Sequence, residues 1–192
     1  MRKDFYVFRH GETDYNKERK LQGSGRDIAL NEIGIKQGRQ LAEKLKNIRL
    51  EAIYSSPLKR ALQTAAFVAE SQDIPVIVKD DLRECCYGDA EGMDLDEVER
   101  LYPEIKKNWT NPKVWDIRYP YGESKREALE RVWSRIQELK EAPEKSIGVA
   151  VHAGTMGSLL NFMHFDFKNI PNCAVFHLVY VDNTWYVEGE LF

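Results

Sequence analysis

Short apolar runs bounded by polar turns alternate along the chain with stretches whose apolar positions recur at helical spacing. Phe5-Tyr6-Val7-Phe8, Ala52-Ile53-Tyr54, Ile74-Pro75-Val76-Ile77-Val78 and Ser146-Ile147-Gly148-Val149-Ala150-Val151 read as strands. Pro75 places the third at a sheet edge or at a strand start. Asn31 is positioned to cap a helix carrying Leu41, Leu45 and Ile48, and Ser56 with Pro57 to open another through Leu62, Ala65 and Val68. Asp94 with Glu97 has capping-box spacing ahead of Val98, Leu101 and Ile105, and Ser124 with Glu127 has it ahead of Leu129, Val132, Ile136 and Leu139. Pro103 is expected to bend the first of these two helices. A short helix about Ser158, Leu159 and Leu160 follows, then a hairpin from Ala174 to Val181 and Thr184 to Val187 around Asp182-Asn183. Strands alternating with helices predict an α/β fold, a three-layer α/β/α sandwich with a mainly parallel central sheet.

There is no internal repeat and no low-complexity linker, and 192 residues at 43% hydrophobic content suffice for one sizeable core. The expectation is a single domain over residues 1–192. The stretch from about residue 84 to 121 breaks the alternation; it holds Tyr87, Trp109, Trp115, Tyr119 and Tyr121 with Lys106, Lys107 and Arg118. An insertion of that kind commonly covers a site, although its aromatic residues serve equally well as core. A net charge of −3 argues against a nucleic-acid surface or a polybasic membrane patch. No apolar run approaches the roughly 20 residues that span a bilayer, and the N-terminus lacks a signal-like core. Three cysteines, two of them the neighbours Cys85 and Cys86, make neither a disulfide framework nor a zinc-ligand spacing. These features predict a cytoplasmic protein with no nucleic-acid or membrane partner; a homodimer is compatible with them.

The candidate chemistry sits where strands end. The first run delivers Arg9-His10-Gly11-Glu12, and the run 146–151 delivers His152, so two of the four histidines occupy equivalent strand-end positions. In a parallel α/β sheet, ligands bind outside the carboxyl ends of the strands. Arg60, in the first turn of the helix after Ser55-Ser56-Pro57, reaches the same edge. Two guanidinium groups match phosphate oxygens, and their charge disfavours the imidazolium, which keeps a histidine nitrogen nucleophilic near neutral pH. Phosphoryl transfer needs mainly positioning and charge stabilisation, and this set supplies both without a metal. A leaving alkoxide needs a proton, for which Glu84 is the candidate, with Asp81, Asp89 and Glu91 nearby. His164 and His177 read as ordinary structural histidines.

Other phosphoryl and hydrolytic signatures fail. Asp94-Leu95-Asp96-Glu97-Val98 has the spacing of an aspartate-nucleophile phosphatase, but it lies at an expected helix cap and not behind an N-terminal strand. No cysteine is followed by an arginine at the spacing of a cysteine-loop phosphatase. G-x-x-x-x-G-K-[ST], G-x-S-x-G and H-E-x-x-H are missing from the sequence.

The ordered set Arg9-His10-Gly11-Glu12-Thr13, Asn16, Leu21-Gln22-Gly23, Asp27 with Leu30, Gly34, Gln37, Tyr54-Ser55-Ser56-Pro57 with Arg60, Thr64-Ala65, Leu82-Arg83-Glu84, Glu91-Gly92, Gly122-Glu123-Ser124 and His152 resembles the histidine phosphatase superfamily, the phosphoglycerate mutase-like proteins. The resemblance implies His10 as a nucleophile that becomes phosphohistidine, Arg9, Arg60 and His152 as its phosphate pocket, and Glu84 as proton donor. It implies that Asn16, Gln22 and Gly23 assist phosphate or substrate binding, with no metal and no cofactor. Family members often carry a glycine where Ala153 stands, so a left-handed backbone there would be strained. Asn31 replaces a usual threonine, a change of helix cap. The mutases of the family are usually longer, with a basic cluster in the covering segment that here is reduced to Lys106, Lys107 and Arg118. The expected function is therefore a metal-independent phosphomonoesterase acting on a small phosphorylated metabolite, like the α-ribazole phosphatase and broad-specificity members. A phosphoglycerate mutase is the alternative, and a non-catalytic binder of phosphorylated ligands is disfavoured because every catalytic group has a candidate.

Overall fold

A computed structural model describes residues 2–192. Among them the strands are β1 (Arg2–Arg9), β2 (Ala52–Ser55), β3 (Val76–Val78), β4 (Ser146–Val151), β5 (Val175–Val181) and β6 (Thr184–Glu190). The helices are α1 (Asp14–Lys17), α2 (Glu32–Leu45), α3 (Lys59–Gln72), α4 (Leu95–Leu101), α5 (Pro103–Trp109), α6 (Lys125–Leu139) and α7 (Ala153–Phe162). The strands form one sheet in the order β3-β2-β4-β1-β5-β6. The pairs β1–β4, β2–β4 and β2–β3 are parallel, while β5 and β6 add an antiparallel margin.

Helices cover both faces. Phe5, Val7, Ile147 and Val149 pack against Leu129, Val132 and Ile136 of α6 and Met156 and Leu159 of α7. On the other face, Phe8, Ile53 and Ala150 meet Leu41 and Leu45 of α2 and Ala61, Ala65 and Val68 of α3. Burial on both sides is why the inner strands read as continuous apolar runs, whereas edge strand β6 alternates exposed and half-buried positions. A third, smaller apolar cluster lies in the segment after Glu84 and holds Cys85, Tyr87, Ala90, Val98, Tyr119 and Ala128. Trp109 and Tyr102 pack on it, their rings 5.1 and 5.5 Å from Tyr87 and Tyr119 respectively. Tyr121 is 90% exposed and belongs to neither core nor site.

Local chemistry explains most boundaries. Asn31 Oδ1 accepts the Gly34 N–H at 2.8 Å, and Ser124 with Glu127 closes a full capping box at α6. Asp182 and Asn183 both adopt left-handed φ, of 50° and 61°, as a two-residue hairpin requires. Other expectations are corrected. Pro103 does not bend a helix; it is the first residue of α5, where its missing N–H costs nothing. Asp94 precedes α4 without a side-chain capping bond. Leu58, and not Ser56, stands at the start of α3; the Ser56 hydroxyl accepts the Leu58 N–H at 3.3 Å and also bonds to His152. Ala153 opens α7 in helical conformation, so the strain expected of a left-handed residue there does not arise.

Two buried lysines show where the fold carries electrostatic cost. Lys3, 2% exposed, donates to the carbonyls of Leu139 and Ala142 at the C-terminal end of α6, where a cation is favoured. Lys125, 1% exposed, sits instead at the positive N-terminal end of α6. Its ammonium donates to Asn111 O at 2.8 Å and lies 4.5 Å from the centre of the Trp115 ring, with no carboxylate paired to it. Burial pushes its pKa from 10.5 down to about 8. The unfolded chain then holds this proton between about pH 8 and 10.5 while the native one releases it, so stability rises with pH across that window. Lys125→Met is expected to stabilise the protein by about 1–2 kcal/mol at pH 7, a gain that shrinks above pH 8. Urea midpoints at pH 7 and 9.5 check this; a variant less stable at pH 7, or a gain that grows with pH, contradicts it.

Candidate active site

The strand register builds the site. β1 and β4 run parallel with Arg9 opposite Val151, so the next residues, His10 and His152, leave the sheet at the same carboxyl edge. Their ring centres are 5.2 Å apart. β2 ends with Ser55 opposite Ala150, so the turn through Ser56 sends the first turn of α3, with Arg60, over the same edge. There a cavity of about 240 Å³ is lined by Arg9, His10, Asn16, Lys20, Leu21, Gln22, Gly23, Arg60, Glu84, Tyr87, Leu95, Ala153 and Gly154.

His10 is 3% exposed, and its Nδ1 lies 2.7 Å from Gly11 O. A carbonyl only accepts, so Nδ1 carries the hydrogen and the Nε2 lone pair is left without a protein partner, facing the cavity. Burial, then Arg60, then Arg9 hold the His10 pKa well below its usual 6.5, so this lone pair stays unprotonated. Arg60, 1% exposed, donates from Nε to His152 Nδ1 (3.2 Å), from one terminal nitrogen to Arg26 O (2.8 Å) and from the other to Gly23 O (2.8 Å). Each terminal nitrogen keeps one hydrogen for a ligand. Its own pKa is drawn down to about 10 by burial, against the pull of Glu84. Arg9 donates to Ile170 O at 2.6 Å, but its buried Nε has no partner. Arg9 also lines the cavity, so its guanidinium supplies positive charge there for an anionic oxygen.

His152 departs from the expected arrangement. It is fully buried and does not line the cavity. Because Arg60 cannot accept, His152 Nδ1 is the acceptor and Nε2 donates to Ser56 Oγ at 2.8 Å. Both ring nitrogens are thus spent on the protein, and the ring acts as a strut behind Arg60 and His10.

Asn16 and Gln22 do reach the cavity. Asn16 Oδ1 accepts from the Thr13 N–H at 3.2 Å, and Gln22 Oε1 accepts from Thr13 Oγ1 at 3.0 Å, which leaves both amide NH₂ groups as donors to a ligand. Gly23 contributes its carbonyl to Arg60 and a left-handed φ of 63°. A side chain there would run into Glu91, whose Cβ-to-Oε1 approach would be 2.0 Å. Glu91 spends one oxygen on the Gly25 N–H and the other on the Tyr87 N–H, both at 3.0 Å, and does not line the cavity.

Glu84, 6% exposed, reaches the cavity from the opposite wall. Its Oε1 accepts the N–H groups of Cys85 (2.9 Å) and Thr155 (3.0 Å), and its Oε2 accepts that of Gly154 (2.9 Å). Oε2 therefore keeps a free lone pair, the place for a proton. Of the other candidate acids, Asp81 is locked by Arg135 Nε at 2.9 Å and Asp89 lies outside the cavity lining. Lys106, Lys107 and Arg118 do not line the cavity either; Arg118 pairs with Glu127 at 3.2 Å. Sequence reasoning missed Lys20 and Leu95 as walls of the cavity, since one lies in a loop and the other at the first residue of α4, and it named Tyr87 only as one aromatic of the covering segment. Among the described residues no cluster of three or more His, Cys, Asp or Glu is placed to hold a metal ion. The cysteines are free, and among the described residues no helix is long and apolar enough to cross a membrane.

A mainly parallel α/β sheet that brings a histidine and two arginines together at its carboxyl edge places the chain in a class, the phosphoglycerate mutase-like folds. The family follows from the match of residues 5–190 to the histidine phosphatase superfamily (branch 1): the chain belongs to that superfamily. A Bacillus subtilis (strain 168) protein described as the uncharacterized phosphatase PhoE is 31% identical over 188 residues, spanning 95% of this chain and 91% of that one. The probable phosphoglycerate mutase GpmB of Yersinia pestis (strain Pestoides F) is 30% identical over 191 residues, 96% of this chain and 88% of its own. The structure of Bacillus stearothermophilus YhfR superposes with a TM-score of 0.86 at 26% identity, covering 97% of this chain and 96% of that one.

Proposed function

We propose that the chain is a metal-independent phosphomonoesterase that moves the phosphoryl group of a small phosphorylated metabolite first to His10 Nε2 and then to water. The observation that carries this reading is the unprotonated, partnerless His10 Nε2 facing a cavity between two guanidinium groups. The Nε2 lone pair attacks phosphorus in line with the ester oxygen, the P–O bond breaks, and the leaving alkoxide takes a proton from Glu84. Arg9 and Arg60, with the amide groups of Asn16 and Gln22, hold the equatorial oxygens as charge shifts. The Nδ1–H bond to Gly11 O disperses the positive charge that the phosphorylated ring acquires. Water then attacks the phosphohistidine, Glu84 takes its proton, and phosphate leaves. His152 serves by fixing the Arg60 fork.

The relatives include a probable mutase as well as a phosphatase. What favours hydrolysis is the outer cavity: beyond the phosphate groups it offers Lys20, Leu21, Tyr87, Leu95 and Ala153, so that among the described residues Lys20 is its one further cation. A mutase must hold the second acidic group of its substrate and return the phosphoryl group to it, which this wall is poorly equipped to do. A panel of phosphate monoesters in the presence of excess chelator tests the reading, with 3-phosphoglycerate followed for both phosphate release and isomerisation. Phosphate release that survives chelation, without isomerisation, is the expected result. Isomerisation outrunning phosphate release, or activity restored only by a divalent ion, overturns it.

A further inference from the structure

Glu84 is carried by the loop behind β3 rather than by a helix or strand, yet a proton donor must be held to within a fraction of an ångström. The hold comes from α6. Arg131, whose side chain is 14% exposed, donates from one terminal nitrogen to Asp81 O (2.8 Å) and Arg83 O (2.9 Å) and from the other to Glu84 O (3.4 Å). It also forks onto Glu123, Nε to Oε1 at 3.0 Å and the terminal nitrogen to Oε2 at 2.8 Å. Glu123 Oε2 in turn accepts the Cys86 N–H at 2.9 Å, and the Glu123 N–H donates to Cys86 O at 2.8 Å. One helical turn on, Arg135 grips Asp81. The backbone on both sides of Glu84 is thereby bonded to groups that never touch the cavity.

We propose that Arg131, locked by Glu123, is the positioning residue for proton donation by Glu84, an inference that rests on the acid role assigned to Glu84 above. A lysine cannot replace it, because one ammonium lacks the planar fork that serves three carbonyls and a carboxylate together. Arg131 therefore bears on departure of a poor leaving group, and not on phosphate capture.

The test compares Arg131→Met, Glu84→Gln and the double variant on an alkyl phosphate and on nitrophenyl phosphate, whose leaving group departs without a proton. Arg131→Met is expected to lower kcat/KM for the alkyl phosphate about 10–100-fold and to change it little for nitrophenyl phosphate. The double variant is expected to be no worse on the alkyl phosphate than Glu84→Gln alone, since both substitutions remove one function. Added guanidinium ion is expected to restore part of the alkyl phosphate rate in Arg131→Met, and Arg131→Lys to remain impaired. Equal losses on both substrates, additive losses in the double variant, or full activity of Arg131→Met overturn the inference while Glu84→Gln alone keeps its leaving-group selectivity. If Glu84→Gln itself shows no selectivity, the acid role falls and the positioning role falls with it.

Discussion

His10→Ala is expected to abolish phosphoenzyme formation and to lower kcat/KM by on the order of 10⁴–10⁶ for every substrate, whatever its leaving group, as removal of a nucleophile does elsewhere. The reason is that, of the groups lining the cavity, His10 alone is an uncharged nucleophile with a free lone pair; Glu84 is bound by three backbone N–H groups and serves as the acid. Arg9, Arg60 and Lys20 are cations, burial pushes the Tyr87 phenol well above its usual range, and His152 has both nitrogens engaged. Rapid quench with labelled substrate is expected to trap an acid-labile, base-stable adduct in the native enzyme and none in the variant. Labelling of His10→Ala at the native level would falsify the assignment. The same histidine sets the acid side of the pH profile. Its lowered pKa means that the free enzyme keeps an unprotonated nucleophile well below pH 6.5, so kcat/KM, corrected for ionisation of the substrate, holds up into acid. Arg60→Met removes the second-largest cause of that lowering, and the acid limb is expected to move upward.

The other large effect belongs to Glu84→Gln, read through the leaving group. General acid help is commonly worth about 10²–10⁴-fold, and an alkoxide needs it whereas a nitrophenolate does not. Gln keeps the size of the side chain and can still accept some of the N–H bonds from Cys85, Gly154 and Thr155, but it has no carboxyl proton to give. The loss in kcat/KM is expected to be confined largely to alkyl phosphates. Because hydrolysis of the phosphohistidine is common to both substrates, kcat can mask the contrast, so kcat/KM is the quantity to compare. Equal losses on both would mean damage to the pocket, and unchanged rates on both would remove Glu84 from the chemistry.

Where local pattern and global packing agree, the sequence was sufficient. The apolar runs before His10 and His152, the Asn31 and Ser124 caps and the Asp182-Asn183 turn each stand in the structure as the residues predict. It was insufficient where a distant partner decides. Ser56 has the character of a helix cap, but it sits before the helix, where its hydroxyl takes the Leu58 N–H and also bonds to His152, distant in sequence. α1 is four residues capped by Thr13 and Asn16, too short to show any periodicity. His152 looked like a member of the phosphate pocket because its strand-end position matches that of His10, and only the side-chain directions show it turned toward Arg60 and Ser56. Arg131 carried no signal of its own and Glu123 stood only within the Gly122-Glu123-Ser124 match, since nothing in their spacing reveals that the carbonyls around Glu84 lie beneath them.

The cavity divides by origin. Its phosphate end combines residues fixed by the sheet edge and the first turn of α3 with Asn16, Gln22 and Gly23, whereas its outer wall comes from Lys20 and Leu21, which run directly into Gln22, from Tyr87 and from Leu95. Exchange at Leu95, which no phosphate-facing residue adjoins in the chain, is expected to change which alcohol is accepted while the grip on phosphate stays in place, so that substrate range can drift without loss of the reaction.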